Sequence, residues 1–491
     1  MEYALPRGLF ARFKRTFIGD KAFYRTVLVL ILPVVVQNLA SNSVILLNNI
    51  MVGSIGTLNM SGVAIANQLI FVFNLTIFGA ISGAGIYGAQ FAGACDWEGF
   101  RKTFRFKLLV ALAITAAGAA ILYFFSDTLI SLYLTGEGSA ADAAAMLGYG
   151  KQYMHIMLWG LLPYALTQCY SGSLRETGDT LPPMVASVTA VFTDLTLNFL
   201  LIQGRFGLPA LGVRGAAIAT VTSRLIELSI LLLWTHSNHK KFFFMEGLYK
   251  SLRIGKELAL SIAGKSLPLL LNELLWAVGV TTLTQIFSTR GLIVVAGLNI
   301  ASTISNLFNV FFLSMGSAVA VMIGQALGAN DIPRARSYVW KLLFFSISIC
   351  VFFGSALALS AHAIPNVYNT EPEVRRLATA FIRTSAMYMA FSATSHCCYF
   401  TIRSGGKTFL TMLFDSVFSW VVCVPYTYLM VHHTLLPIDL LYPLCNLTEA
   451  VKCAIGLIVV RTGYWARNMT GAPGGGEPAE QEAGGALPEA L

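Results

Sequence analysis

The amino-acid sequence contains one apolar unit twice, and this duplication constrains the fold more than any other feature. A shift of 235 residues aligns the following pairs: Pro33 with Pro268, Gly62 with Gly297, Asn74 with Asn309, Gln90 with Gln325, and Arg101 with Arg336. About seventy residues therefore keep one register across the duplication. The fold is expected to consist of two related halves.

The composition places both halves in a membrane. Hydrophobic residues make up 56% of the chain and charged residues 12%, about half the roughly 25% of soluble domains, so a water-soluble fold is excluded. Apolar stretches of about 20 residues, the length that crosses a hydrocarbon core as a helix, recur along nearly the whole chain. They predict twelve spans, at 25–51, 60–91, 104–125, 143–171, 182–203, 211–235, 257–288, 293–326, 339–362, 374–402, 408–431 and 439–462.

The sequence thus predicts an all-α polytopic membrane protein with twelve transmembrane helices in two six-helix lobes. Because six is even, both lobes enter the bilayer from the same side, which makes a parallel repeat with its axis along the membrane normal. The predicted divisions are a basic cytoplasmic arm (1–24), an N-lobe (25–235), a cytoplasmic linker (236–256), a C-lobe (257–465) and a disordered cytoplasmic tail (466–491). Two related halves in a membrane are typical of transporters.

Basic residues near the helix ends predict the orientation. One side holds fifteen Lys and Arg residues, in the N-terminal arm, after the second span and in the central loop, and the opposite loops hold five. We therefore expect both termini and the central loop to be cytoplasmic. The net charge of +9 then directs membrane insertion, and nucleic acid is not an expected partner. The first span is too long for a signal peptide and should remain in the mature chain.

Two short motifs have structural interpretations. Gly83, Gly85 and Gly88 form a literal GxGxxG, but no strand precedes them, so with Gly79 they predict close helix packing rather than dinucleotide binding. The eight cysteines show no CxxC spacing and mostly lie in apolar spans, which indicates inert structural thiols.

A second repeat, with a shift of 228 residues, joins two spans in each half. It is an Arg-x-x-Gly-x-Thr loop, made by Arg175, Gly178 and Thr180 and again by Arg403, Gly406 and Thr408. The motif predicts a positive charge for the cytoplasmic surface, a glycine for a tight turn and a hydroxyl that caps the next helix.

With these motifs the chain resembles the multidrug and toxic compound extrusion (MATE) family over about residues 25–465. The resemblance rests on the duplicated twelve-span layout, the two Arg-x-x-Gly-x-Thr loops, Met51-Val52-Gly53 closing the first span, and the stretch that begins with Asn198-Phe199-Leu200 and ends at Thr220. It implies two lobes, a central cleft open to one side at a time, and export driven by sodium ions or protons. The coupling ion stays open.

Ionisable residues within spans are candidate site residues, because they are costly in lipid unless they face protein or water. Asp194 in the fifth span has Asn198 one turn away on the same face. A carboxylate beside an amide can bind a small cation or hold a proton. Many family members carry an Asp five residues before Gly53, where this chain has Asn48. We therefore expect no proton binding in the first helix, and Asp194, Asn198 and Asn48 are a possible sodium site.

The seventh span carries the second candidate. Glu273 follows Asn272 and shares a helical face with Trp276. An acid beside an aromatic ring suits an organic cation. The 235-residue shift aligns Glu273 with Asn38, so the two lobes carry unequal charge at equivalent positions. An asymmetric ion site follows as a hypothesis, with Asn38 and Gln37 in the polar shell.

His396 in the tenth span is the third candidate for ion or proton coupling, because histidine titrates near neutrality. A satisfied core histidine is the alternative. No pair of histidines has metal-ligand spacing. Pro33 and Pro268 lie within the first helix of each lobe, where proline frees a backbone carbonyl and permits bending. A static kink is the alternative there.

The predicted function is a secondary active multidrug exporter that moves amphiphilic, cationic small molecules in exchange for sodium ions or protons, by alternating access. It needs no cofactor besides the coupling ion, functions as a monomer, and lies in a bacterial inner membrane. A flippase for a lipid-linked saccharide is the alternative, but it requires a strongly basic cleft, for which Lys265 and Arg383 are the open residues. An enzyme is not expected, because His396 beside Cys397 lacks a recognisable base, nucleophile and orienting group.

Overall fold

A computed structural model describes residues 9–134, 139–251, 253–368 and 370–471, without the side chains at 9–12, 45, 46, 49 and 50. All regular structure in these ranges is helical. Twelve long helices follow one another: α1 (Lys21–Gly53), α2 (Thr57–Gly93), α3 (Trp97–Phe124), α4 (140–176), α5 (Leu181–Leu201), α6 (Val213–Ser237), α7 (Lys256–Ser288), α8 (Leu292–Gly328), α9 (Ile332–Ser360), α10 (Pro372–Ser404), α11 (Thr408–His433) and α12 (Ile438–Thr462). The predicted all-α class with twelve helices is confirmed. Residues 1–8 of the predicted arm and 472–491 of the predicted tail lie outside the described residues.

Two of these helices are interrupted. A 3-10 turn at Leu158–Gly160 divides α4, and two π-helical segments, Leu413–Val417 and Ser419–Cys423, lie within α11. Two short helices, Leu9–Phe17 and Ser126–Ser131, lie outside the twelve. A π segment widens the helix locally and is frequent at functional sites.

Among the described residues, ten of the twelve helices are long and apolar enough to cross a membrane. The remaining two, α4 and α10, occupy equivalent places in the repeat. Each is surrounded within its own half, α4 by α2, α3 and α6, and α10 by α8, α9 and α12. Because neighbouring helices cover them, α4 and α10 tolerate more polar residues than the helices around them.

Helices α3 and α9 each begin seven residues before the predicted spans, at Trp97 and Ile332. Asp96 accepts a hydrogen bond from the Gly99 amide (2.9 Å) and caps the first of them. Asp331 caps the second through the Arg334 amide (3.0 Å). The apolar pattern marks only the part of a helix in lipid, whereas the caps set where the helix starts.

The two lobes contact each other through α2 against α7, and through α8 against α1 and α2. The glycines of α2 allow this approach. A Cβ at Gly79 would lie 2.7 Å from the Leu270 Cα, and one at Gly83 would lie 2.5 Å from the Ser266 backbone nitrogen. The predicted packing role of this glycine step is confirmed, and it brings the first lobe against α7 of the second.

A symmetric pair of hydrogen bonds joins the lobes where α2 and α8 end. The Gln90 side-chain amide donates to the Ser404 carbonyl (2.9 Å), and the Gln325 amide donates to the Glu176 carbonyl (2.9 Å). Ser404 and Glu176 are the last residues of α10 and α4. We call this contact the closed end of the molecule.

The segment after α12 packs into the closed end. Trp465 is buried, and a side chain at Gly405 would overlap its carbonyl oxygen. The Arg467 carbonyl accepts a hydrogen bond from Gln90 (3.2 Å), and the Met469 amide donates to the Gln90 side-chain oxygen (2.7 Å). The sequence assigns residues from 466 onward to a disordered tail, but Arg467 and Met469 form part of this contact. We call residues 463–470 the C-terminal segment.

Candidate functional site

A cavity of about 680 Å³ lies between the lobes. Helices α1 to α4 of the first half and α7, α8, α10, α11 and α12 of the second line it. Its aromatic wall consists of Phe78, Trp276, Phe312, Tyr399 and Phe400. Its charged lining residues are the cations Lys107, Arg175, Arg403 and Lys452 and the carboxylates Glu176, Glu273, Asp415 and Glu449. Cations and carboxylates are therefore equal in number in a cavity walled by aromatic rings.

Lys107 and Glu176 form a buried ion pair at this cavity. The Lys107 ammonium donates to both Glu176 carboxylate oxygens (2.6 Å each) and to the Ser173 hydroxyl (2.9 Å), and Lys107 is 1% exposed. The sequence counts Lys107 among the basic residues that follow the second span on the cytoplasmic side, whereas the structure buries its side chain. The sequence does contain an indication of this burial, because Lys107 falls inside the predicted span 104–125. A lysine buried this deeply requires a partner charge.

The arginines of the two repeated loops also face the cavity and not the surface. The Arg175 guanidinium donates to the Ser171 hydroxyl (2.8 Å). The Arg403 guanidinium lies over the Phe400 ring (5.1 Å from the ring centre) and near the Phe78 ring (5.8 Å). The predicted surface position of both arginines is therefore wrong, because the last turn of α4 and α10 points these side chains inward.

For the glycine and the threonine of the loop motif, one prediction is confirmed and the other is wrong. Gly178 and Gly406 have φ values of 91° and 73°, so both glycines make the expected tight turn. Neither threonine caps a helix through its side chain. The Thr180 hydroxyl instead donates to the Val29 carbonyl of α1 (2.9 Å), which ties the loop to the first helix.

An acidic cluster lines the cavity from the second lobe. Lys452 donates to Asp415 (2.6 Å), and the Asn272 amide donates to the other oxygen of Asp415 (3.0 Å). The Tyr399 hydroxyl donates to Glu273 (3.3 Å). The sequence predicts that Glu449 and Lys452, three residues apart in the twelfth span, neutralise each other. This pairing is wrong, because Lys452 reaches across to Asp415 of α11. We call Glu273, Asp415, Glu449 and Lys452 the acidic cluster.

The structure brings together three predicted residues of the first lobe, outside the cavity lining. The Asn48 amide donates to Asp194 (2.6 Å), and the Asn198 amide donates to the Asn48 side-chain oxygen (2.9 Å). Asp194 is 4% and Asn198 1% exposed. Among the described residues, Asp194 Oδ1 and Asn198 Oδ1 are buried without a hydrogen-bond partner. We call these three residues the N-lobe polar site.

Two further predicted residues connect α1 to its neighbours. The Gln37 amide donates to the Ser187 hydroxyl (2.7 Å), which in turn donates to the Glu227 carboxylate. The Asn38 amide donates to the Ser314 hydroxyl of α8 (3.2 Å) and lines the cavity. Asn38 therefore lies at the cavity, whereas Gln37 lies on the side of α1 that faces α5.

Of the other predicted residues, Trp276 and His396 both line the cavity. The His396 ring lies among Phe312, Phe400 and Tyr399, at 5.6, 4.9 and 6.4 Å between ring centres. Within the described part of the chain, its Nε2 is buried without a hydrogen-bond partner. Asn272 contacts Asp415 and does not line the cavity. His396 therefore has an unsatisfied ring nitrogen beside the cavity, and its coupling role stays a prediction.

Pro33 and Pro268 lie within the continuous helices α1 and α7. Their role as bending points stays a prediction. Within the described ranges, no three His, Cys, Asp or Glu side chains are placed to hold a metal ion. The eight cysteines are free, and seven are buried.

Comparisons with known proteins support one family. The MatE family profile matches residues 33–200 and 268–429. A probable multidrug resistance protein NorM of Thermotoga maritima is 23% identical over 374 residues, which cover 76% of this chain and 78% of the relative. A multidrug resistance protein MdtK of Pectobacterium atrosepticum is 23% identical over 409 residues, covering 82% and 86%.

Solved structures show the same fold. A crystal structure of a MATE protein in the straight conformation matches with a TM-score of 0.80 at 18% identity, over 90% of this chain and 96% of that one. The Vibrio cholerae MATE transporter VcmN matches with a TM-score of 0.80 at 18% identity, over 91% and 98%. A multidrug resistance MATE family transporter in an outward-facing conformation matches with a TM-score of 0.78 at 19% identity, over 91% and 96%.

Proposed function

Because this chain belongs to the MATE family, a family of multi-pass membrane transporters, we propose that it is a secondary active multidrug exporter. It would move amphiphilic organic cations out of the cell in exchange for sodium ions or protons. The relatives NorM and MdtK are named as multidrug resistance proteins, which supports drugs as substrates. The protein is not an enzyme in this proposal, and one chain with both lobes acts alone.

The observation that carries the coupling proposal is the pair of unsatisfied oxygens in the N-lobe polar site. Asp194 Oδ1 and Asn198 Oδ1 are buried without partners among the described residues. A buried polar atom without a hydrogen bond is costly. A bound sodium ion or a proton on Asp194 would satisfy these atoms, since hard cations prefer carboxylate and amide oxygens. Release of that ion would leave the site unsatisfied and favour a rearrangement of the lobe.

The cavity supports an organic cation as the transported molecule. Glu273 and Glu449 face it without an ammonium or guanidinium group within 4 Å among the described residues. Trp276 and Tyr399 line the same cavity and supply aromatic rings. A desolvated cation is attracted both by the carboxylates and by the aromatic faces.

Alternating access would move the cavity between the two membrane faces. The closed end lies where the basic loops gather, and the distribution of Lys and Arg favours the cytoplasm for that side. We assign both termini to the cytoplasm of a bacterial cell and the protein to its inner membrane. In this proposed orientation the closed end would separate the cavity from the cytoplasm.

The flippase alternative has less support. A pyrophosphate would require a strongly basic cleft, whereas the cavity lining carries equal numbers of cations and carboxylates. Arg383 is exposed, and Lys265 is not a lining residue. Neither of the two basic residues left open by the sequence adds positive charge to the cavity.

The test is dye transport by the purified protein in vesicles, under an imposed sodium gradient and separately under a pH gradient. We expect one of the two ion gradients to drive transport of a fluorescent organic cation, in the direction opposite to the flow of the ion. Asp194→Asn should abolish the coupling, and Glu273→Gln should weaken cation transport. Asp127→Asn and Glu98→Gln make the same chemical changes at exposed positions and serve as controls. Full gradient-driven transport by Asp194→Asn would contradict the coupling assignment.

A further inference from the structure

We propose that the short helix Leu9–Phe17 lies on the membrane surface beside α9 and binds the headgroups of anionic phospholipids. We call it the N-terminal helix. This interaction surface lies outside the cavity between the lobes and does not depend on which molecules the protein exports. It follows from the side of α9 on which the helix packs and from the positive charges that surround this contact.

The N-terminal helix packs against α9 through two phenylalanines. The Phe13 and Phe17 rings are one turn apart, with 5.0 Å between their centres. The Phe13 ring centre lies 5.7 Å from that of Phe344, and the Phe17 ring centre lies 6.2 Å from that of Trp340 and 6.0 Å from that of Phe344. The helix therefore uses an apolar side to contact α9.

The face of α9 that carries this contact continues into the lipid. Trp340, Phe344 and Val351 share one face, because they are separated by four and then seven residues. The N-terminal helix contacts the first two, whereas Val351 is 53% exposed. The predicted ninth span begins at residue 339, which places Trp340 at the boundary between hydrocarbon and headgroups, where tryptophan is enriched. The N-terminal helix thus lies at the level of the headgroups.

Positive charges surround this contact. Lys14 and Arg15 of the N-terminal helix are exposed. Lys341 of α9 lies on the same turn as Trp340, with its ammonium 5.9 Å from the centre of the Phe23 ring. We call Lys14, Arg15 and Lys341 the basic surface. Among the described residues, none of these three cations has a carboxylate within 4 Å, so no ion pair neutralises them.

Acidic residues are nearly absent from this part of the sequence. Asp20 is the only Asp or Glu between residues 3 and 95. Its carboxylate accepts a hydrogen bond from the Phe23 amide (2.8 Å), as a helix cap does. Lys21 and Arg25, at the start of α1, add two further exposed cations. The local charge therefore favours an anionic partner.

An anionic phospholipid matches the basic surface in both charge and position. Its phosphate oxygens accept hydrogen bonds from ammonium and guanidinium groups. Its acyl chains would contact the half-exposed Phe13 ring and the lipid-facing side of α9. A soluble anion would match the charges but would leave this apolar surface uncovered. Helices with basic residues on one side and phenylalanine on the other lie in the membrane interface in this way.

Two lipids that differ in headgroup charge test the basic surface. Phosphatidylglycerol and phosphatidylcholine, each with the same fluorescent acyl chain, are held in detergent micelles and titrated with the full-length protein. Fluorescence anisotropy gives both affinities. We expect the wild type to prefer phosphatidylglycerol, and Lys14→Gln and Arg15→Gln each to lower this preference about fivefold. The affinity for phosphatidylcholine should stay unchanged, which would show that the variants are folded.

Matched controls come from the central loop. Lys240→Gln and Arg253→Gln remove the same charge at exposed positions and should leave the lipid preference unchanged. Arg15→Lys keeps the charge and should also keep the preference. Glycerol 3-phosphate, a soluble phosphate without acyl chains, should compete only at far higher concentration than the lipid.

Four results would overturn the proposal. The first is equal affinity of the wild type for both lipids, and the second is an unchanged preference in Lys14→Gln and Arg15→Gln. The third is an equal loss in the Lys240→Gln and Arg253→Gln controls, which would assign the effect to total charge. The fourth is competition by glycerol 3-phosphate at the concentration of the lipid, which would make the partner a soluble anion.

Discussion

Gln90 and Gln325 occupy equivalent positions in the two repeats, and each donates a hydrogen bond across the lobe interface to the end of a helix in the other half. Gln90 reaches the Ser404 carbonyl and Gln325 the Glu176 carbonyl, both at 2.9 Å. The duplication therefore produces a two-fold symmetric contact at the closed end. Because Arg403 and Arg175 immediately precede these carbonyls, the contact also fixes the arginines that face the cavity.

The first prediction concerns these glutamines. Gln90→Ala and Gln325→Ala should each favour separation of the lobes at the closed end, because each removes a hydrogen bond that only the closed state makes. A net hydrogen bond contributes about 1 kcal/mol, which corresponds to roughly a fivefold shift in the population of states. Spin labels on exposed residues of the two lobes at this end report the population through their distance distribution.

Gln203→Ala provides the control, since among the described residues this exposed glutamine bonds within its own lobe, to Ser54 and Arg205. An unchanged distance distribution in the double variant Gln90→Ala/Gln325→Ala would show that other contacts alone determine closure.

The second prediction uses the glycine that faces Gln90. A side chain at Gly328 would overlap the Gln90 carbonyl oxygen. Gly328→Val should therefore prevent closure and abolish dye transport, while the separate lobes remain folded. Gly148→Val introduces the same side chain on α4 where no atom lies within 4 Å, and it should transport normally. Normal transport by Gly328→Val would contradict this prediction, because it would show that α2 and α8 can move apart here while transport continues.

The third prediction concerns the buried ion pair of Lys107 and Glu176. Lys107→Met or Glu176→Gln alone should lower the free energy of unfolding by about 3–5 kcal/mol, because each leaves one buried charge unpaired. The double variant should regain most of that loss. Thermal unfolding of the purified variants measures these differences. Lys102→Met removes an exposed i, i+4 pair with Glu98 and should change the free energy of unfolding far less, because water screens that pair.

Additive losses in the double variant would contradict this explanation, because they would show that the two charges act independently. Because Lys107 and Glu176 pair with each other, strong coupling between the two substitutions is expected.

How far the sequence determines the structure differs between residues. The apolar periodicity and the repeat predict all twelve helices, because a bilayer permits few other solutions for such a chain. They also place Asp194, Asn198 and Asn48 as a possible group, since i, i+4 spacing and a known family position bring them together. The sequence does not predict that Arg175 and Arg403 point inward. That direction depends on the last turn of a helix, which a loop motif does not specify.

The sequence also does not predict which charged residues pair when they lie on different helices. Lys452 has Glu449 three residues away on its own helix, and local spacing favours that pair. In the structure Lys452 instead bonds to Asp415 on α11, where Asn272 also donates to the carboxylate. The choice between the two acids depends on how α7, α11 and α12 pack, and no periodicity in a single helix contains that information.

The last prediction concerns the C-terminal segment. Trp465 is 1% exposed, and the Arg467 carbonyl and Met469 amide bond to Gln90. The segment thus contacts the glutamine that joins the lobes, and the Asn468 amide adds a bond to the Gly328 carbonyl of α8 (3.4 Å). A chain that ends after residue 462 should therefore favour lobe separation at the closed end and transport more slowly, because return to the closed state loses these contacts. A chain that ends after residue 471 keeps the whole segment and should behave as the full-length protein in both the spin-label distances and dye transport. Full-length behaviour of both truncations would show that the segment only covers the closed end, whereas an equal defect in both would assign the effect to residues 472–491.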